Sequence, residues 1–141
     1  MSPVKRPKGA KGKADALFSR LVRSKGFCEA CAVGWEPMPK SPGGLETAHI
    51  IGRKFSATRV EGIPGAPGAL GLNAYCLCSS HHRRFGEWGM DWARWIEATI
   101  GVAGYDALHK KAQDNGGRVW RESDWRAEVE RLTVLLAEVE R

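Results

Sequence analysis

Cys28 and Cys31 stand two residues apart as Cys-x-x-Cys, and Cys78 and His81 stand two residues apart as Cys-x-x-His. A pair at this spacing can grip one ion from a single tight turn, and zinc takes four thiolate or imidazole ligands in a tetrahedron. Two such half-sites predict one shared zinc. Four protein ligands leave no open position, so this zinc is expected to be structural. The rival reading of Cys28 and Cys31, a thioredoxin-like redox pair, lacks the surrounding βαβ pattern and leaves the second half-site without a purpose. Cys76, the remaining cysteine, lies in a strand-like run and reads as a buried thiol.

His82 needs a different role. If the turn at Cys78 leads into a helix, adjacent side chains diverge by about 100° around its axis, so His81 and His82 cannot both face the same ion. His82 joins His49 and Asn73 in an ordered set of His, Asn and His around a zinc knuckle, and here the chain resembles the HNH endonuclease family. In the ββα-metal core of that family a Cys-x-x-Cys pair is followed by a His at the end of a strand and then by Asn-x-x-x-Leu-Cys-x-x-Cys-His. Residues 73 to 82 follow that string position for position, with His81 in place of its fourth Cys. The resemblance covers residues 28 to 85. It implies that His49 activates the attacking water as general base, that Asn73 helps hold the strand-turn-helix geometry and orients that base as part of the catalytic set, and that His82 binds a catalytic divalent cation such as Mg2+.

One position departs from the family pattern. Many members carry Asp, His or Glu immediately before the first His as a second ligand of the cation, and this chain has Ala48. An imidazole alone is a poor partner for Mg2+, which prefers carboxylate and water oxygens. Glu46 and Glu87 are the nearest acids in sequence to the two histidines, neither at a family ligand position, and Asn73 is a further source of an oxygen. Arg53, Lys54 and Arg59 follow His49 closely, and Arg83 follows His82. As a group they suit contacts to phosphate, although single exposed cations are commonly no more than solvated surface. His109 lies in a polar helical stretch and reads as a surface residue.

The elements that must position these groups can be read from periodicity. Residues 1–13 combine Lys5, Arg6, Lys8, Lys11 and Lys13 with Pro and Gly and contain no acid, which predicts a disordered basic arm that either neutralises DNA phosphates or only solubilises the chain. From Ala14 the apolar residues Leu17, Phe18, Leu21 and Val22 predict a helix ended by Gly26. Residues 34 to 71 hold eight Gly and five Pro, too many for continuous helix or strand, so this stretch is expected to be loop that depends on the zinc for its fold. Its one strand-like piece is Glu46 to Ile51, with Thr47, His49 and Ile51 on one face. A helix starting beside Arg83 is expected to carry His82. Beyond it come a helix with Trp92, Trp95, Ile96 and Ile100, closed by Gly101, and another with Tyr105, Leu108 and Ala112, ended at Asn115-Gly116-Gly117. Trp125, Val129, Leu132, Leu136 and Val139 form a short heptad seam. The tryptophans, five of them between Trp88 and Trp125, read as core at helical spacing rather than as base-stacking platforms.

The fold class that follows is small α+β: a ββα-metal core stapled by structural zinc over residues 14–89, with an N-terminal helix and a helical extension over 90–141. That extension resembles the one on some phage-type members of the HNH family. With 141 residues there is no room for two large domains, and the net charge of +6 favours a polyanionic partner. No apolar run is long enough to span a bilayer, and the basic N-terminus lacks a following apolar stretch of signal-peptide type. The expected protein is cytoplasmic, in a host cell if phage-encoded, with DNA as partner and self-association through the heptad seam left open. The expected function is metal-dependent hydrolysis of DNA phosphodiester bonds. The alternative is a non-catalytic zinc-containing nucleic-acid-binding module, and a protein-interaction adaptor built on the seam is a third reading.

Overall fold

A computed structural model of the chain describes residues 9–62 and 72–141. Its centre is a hairpin of two antiparallel strands, β1 (Leu45–His49) and β2 (Ala74–Cys78), with His49 paired to Ala74 and Leu45 to Cys78. Successive side chains of a strand point to opposite faces, and here both faces are covered. On one side Ala74 and Cys76 meet Ala14, Phe18, Leu21 and Val22 of helix α1 (Gly9–Arg23) and Trp125, Leu132 and Leu136 of helix α7 (Glu122–Val139). On the other, Ala48, Tyr75 and Leu77 meet the short helix α2 (Glu29–Ala32) and the helices α4 (Ser79–Glu87), α5 (Gly89–Thr99) and α6 (Gly101–Asp114). A one-turn helix, α3 (Ser56–Arg59), lies in the connection between the strands.

The expected disordered stretch does not include residues 9–13. Residues 1–8 lie outside the described residues, but Gly9 to Lys13 already belong to α1, and Ala10 is buried. The reason is tertiary: the Glu122 carboxylate, from the start of α7, accepts the Ala10 N–H at 2.9 Å and satisfies an end of the helix that local sequence leaves open. At the other end Arg20 pairs with Glu140 at 2.6 Å, so α1 and α7 run parallel. Trp125, Leu132 and Leu136 of the heptad seam pack on α1 within the chain, while Val139 is exposed.

Strand β1 also stops two residues short of the expected Ile51. The Ile50 N–H still reaches the Asn73 carbonyl, but the Ile51 N–H turns to the Asn73 side chain, and Ile51 joins Ala48 and Tyr75 in the core on the other side of the hairpin from His49. Trp95 is buried as expected, edge-on to Tyr75 at 5.3 Å and stacked on Phe85 at 5.9 Å. Trp88 is the exception, exposed, with the Arg84 guanidinium 5.0 Å from its ring. Among the described residues no helix is long and apolar enough to cross a membrane.

Candidate functional site

Each half-site of the Cys/His cluster is the start of a helix. Cys28 precedes α2 and its sulfur accepts the Cys31 N–H, while Cys78 precedes α4 and accepts the His81 N–H, both at 3.4 Å. This arrangement turns the second member of each pair back towards the first. The hairpin then brings the two turns together, so that the donor atoms of Cys28, Cys31, Cys78 and His81 all lie within 4.8 Å of one another. With Zn–S of about 2.3 Å and Zn–N of about 2.0 Å, a tetrahedral shell has S···S edges of roughly 3.8 Å and S···N edges of roughly 3.5 Å. The Cys31 and Cys78 sulfurs are 3.8 Å apart, and His81 Nδ1 lies 3.5, 3.4 and 3.5 Å from Cys28, Cys31 and Cys78. His81 Nε2–H donates to the Trp35 carbonyl at 3.1 Å, which leaves Nδ1 with its lone pair towards the sulfurs. The cluster can hold zinc.

Its electrostatics suit a cation. Burial works to raise the Cys28 thiol, but the Cys78 and Cys31 backbone N–H groups and the His81 ring outweigh it and bring Cys28 from 9.0 down to about 7. Cys31 moves the other way, to about 12, pushed by burial and by the neighbouring Cys28 and Cys78 sulfurs. Three thiolates this close would repel one another, and a divalent ion bound between them would offset that repulsion and let all three ionise.

His82 leaves the cluster as helical geometry requires. Whereas His81 is 1% exposed, the His82 side chain is 40% exposed, on the neighbouring face of α4. It opens on a cleft of about 660 Å³ lined from α1 by Asp15, Ser19 and Arg23 and from the opposite wall by Glu46, His49, Arg53 and His82. Glu46 and Ala48 share a face of β1, and Glu46 Oε1 is 2.8 Å from His82 Nδ1. Ser79 Oγ donates to the other carboxylate oxygen at 2.8 Å, and these two contacts, His82 first, hold the Glu46 carboxyl below its usual value. Glu87 is exposed at the end of α4 and does not line the cleft.

His49 ends β1, half-buried, with the Phe18 ring 5.4 Å away. Its Nε2 is 3.0 Å from the Arg59 carbonyl oxygen, which only accepts, so Nε2 carries the proton and Nδ1 is the basic nitrogen. Burial, against the Arg59 carbonyl and aided by the nearby Arg53, keeps its pKa below the ordinary 6.5. The ring is neutral at pH 7.

Asn73 is fully buried and never reaches the cleft. Its Oδ1 accepts the Ile51 N–H at 2.9 Å, and its Nδ2 donates to the carbonyls of Ile51 at 3.1 Å and Thr58 at 2.8 Å. The side chain thus stitches the exit of β1 to α3, with its oxygen committed to backbone and not free for a cation. Of the four cations expected at phosphate, Arg53 lines the cleft, and Lys54 and Arg83 are exposed. Arg59 is a correction. It is 7% exposed, and three of its five N–H groups are engaged by Asp15 and by the Arg53 carbonyl, so it is held inside the protein rather than presented as a free surface cation. Arg23 is the cleft cation that sequence reasoning missed; as one of several bases near the end of α1 it carried no distinguishing signal. Compared with known proteins, the chain matches no family model, no curated protein and no solved structure.

Proposed function

We propose that the chain is a metal-dependent endonuclease of HNH type that hydrolyses DNA phosphodiester bonds in the cleft between α1 and β1. The observation that carries this reading is that His49, neutral and held by one nitrogen to a backbone carbonyl, opens on the same cleft as the Glu46–His82 pair. His49 takes the proton of the attacking water on Nδ1, as a general base must do at neutral pH. A carboxylate with one imidazole is a sparse donor set that fits Mg2+, an ion that keeps most of its shell in waters and phosphate oxygens. Glu46 and His82 would hold it, Glu46 supplying the carboxylate absent at Ala48. Once bound, such a cation offsets charge on the phosphate and on the departing oxygen. Arg23 and Arg53 add fixed positive charge to the walls, which suits backbone phosphate. The zinc cluster carries no reaction step; it fixes the root of α4, and so His82, against the hairpin.

The deciding experiment is a plasmid nicking assay on purified protein with and without Mg2+, Mn2+ or Ni2+. Nicking that depends on the cation and vanishes in His49→Ala supports the reading. One observation favours the non-catalytic alternative: Ala48, at the family ligand position, is 2% exposed and packed into core. Zinc-loaded protein that binds DNA yet nicks it with none of these ions decides for that module.

A further inference from the structure

His49 is oriented by something outside the hairpin. The carbonyl that accepts its Nε2–H belongs to Arg59, the last residue of α3, a single turn with no side-chain cap of its own. An isolated turn of four residues has little intrinsic stability, so its final carbonyl points where tertiary contacts hold it. Those contacts converge on the Arg59 side chain. Nε donates to Asp15 Oδ1 and Nη2 to Asp15 Oδ2, both at 2.6 Å, while Nη1 donates to the Arg53 carbonyl at 2.8 Å. The guanidinium therefore closes residues 53–59 into a ring and ties that ring to α1 through a two-pronged carboxylate contact, the most directional form of ion pair. The two side chains are 9% and 17% exposed, so although Asp15 also lines the cleft the pair is screened less than one on an open surface.

We propose that Asp15 is a positioning residue for His49. By clamping Arg59 from α1, Asp15 holds the Arg59 carbonyl on His49 Nε2–H and so selects the tautomer in which Nδ1 is the basic nitrogen. Phe18, one turn further along the same helix, lies against the imidazole ring and limits its rotation. Helix α1 thus supplies both restraints on the histidine while lining the cleft itself. A simple strut between α1 and α3 would stabilise the fold equally well without choosing a nitrogen, and this is the difference to measure. The catalytic consequence rests on the nuclease reading, but the choice of tautomer does not.

The test is the ring-nitrogen NMR spectrum of His49 in zinc-loaded, full-length protein at a pH where the ring is neutral. Wild type is expected to show a single Nε2–H tautomer. Asp15→Asn, which keeps the shape but replaces one accepting oxygen by a donor, is expected to give a mixture of tautomers with zinc content unchanged. Asp15→Glu is expected to restore the single form at least in part. Should Asp15→Asn fail to fold, Asp15→Ser, which leaves space for water against the guanidinium, is read in the same way. A wild-type mixture, or a single Nε2–H tautomer surviving in the folded Asn or Ser variant, overturns the proposal. In the nicking assay the folded variant should lose on the order of 100-fold in rate, as misplaced catalytic groups do. A wild type that never nicks sinks the nuclease reading and leaves the spectrum to decide the role of Asp15.

Discussion

At the scale of single residues, the informative contrast is between His81 and His82, neighbours in sequence that face a cysteine cluster and an open cleft. His81→Ala removes a ligand from the cluster, so zinc content and thermal stability should fall together. His82→Ala should leave zinc and stability in place, abolish nicking, and recover part of the activity at higher divalent-cation concentration. Equal defects in zinc content and activity for the two variants would show that the division of labour is wrong. His49→Ala should retain zinc and fold while losing roughly 10²- to 10⁴-fold in rate, the usual contribution of a general base. The pH dependence has a definite sign. Because burial depresses the His49 pKa below 6.5, the neutral ring persists to lower pH than in a free imidazole. Cleavage rates measured against pH should therefore fall on the acid side with a midpoint below 6.5. Stability from burying this ring is fully present above 6.5 and is lost as pH falls through the folded value. An acid limb above 6.5 would assign the base to another group.

Among the elements, the two Cys-initiated helices depend on each other. Helix α2 is four residues long, too short to persist by itself, and its Cys28 and Cys31 gain fixed positions only when the second half-site answers them. Structural zinc in small domains contributes on the order of 10 kcal/mol. Stripping the metal with a strong chelator, or Cys28→Ser, should therefore release α2 and α4 from the hairpin and expose Trp35 and Trp95 to solvent. Tryptophan fluorescence and elemental analysis read this outcome directly. Untreated protein without zinc, or Cys28→Ser with unchanged stability, would refute it. Helices α1 and α7 answer to different forces: they are joined by burial of Phe18, Leu21, Leu132 and Leu136, and Glu122 caps α1 across 112 positions of sequence.

Over the whole molecule, the hairpin carries a core on each face, and the cleft lies where α1 passes the strand that ends in His49. The residues of the helical extension belong to both cores, through Trp95 and Ile96 on one side and Trp125, Leu132 and Leu136 on the other. Electrostatics act on the same scale. With a net charge of +6, binding to DNA should weaken steeply with salt. Because α1 begins at Gly9, the deletion that tests the arm is residues 1–8, which removes Lys5, Arg6 and Lys8 without touching Ala10. Every phosphate that the protein no longer neutralises lowers the slope of log affinity against log salt by about 0.9, so the truncated protein should bind more weakly and with a shallower slope. An unchanged slope would deny the arm any part in binding. Deleting 1–13 is a different experiment, since it also removes the first turn of α1 and the bond from Ala10 to Glu122.

The sequence by itself determined what depends on short spacing and periodicity. Two-residue separations bring Cys28 to Cys31 and Cys78 to His81 in any chain that turns there, and apolar repeats place α5, α6 and α7 within a residue or a few of their observed bounds. The divergence of His81 from His82 follows from helix geometry alone. The tertiary structure decided what depends on residues far apart in the chain. Nothing local to Glu46 says that it meets His82, because the contact requires α4 to lie across β1. Asp15 is unremarkable in an amphipathic helix until the fold brings Arg59 to its carboxylate, and Arg59 looks like a free cation until that pairing is seen. The heptad seam has the pattern of a partner-seeking helix, and only packing shows that its partner is α1. Side chains that serve the backbone or an ion can be recognised by their type and spacing, whereas those that serve one another across the fold acquire their roles from where the chain brings them.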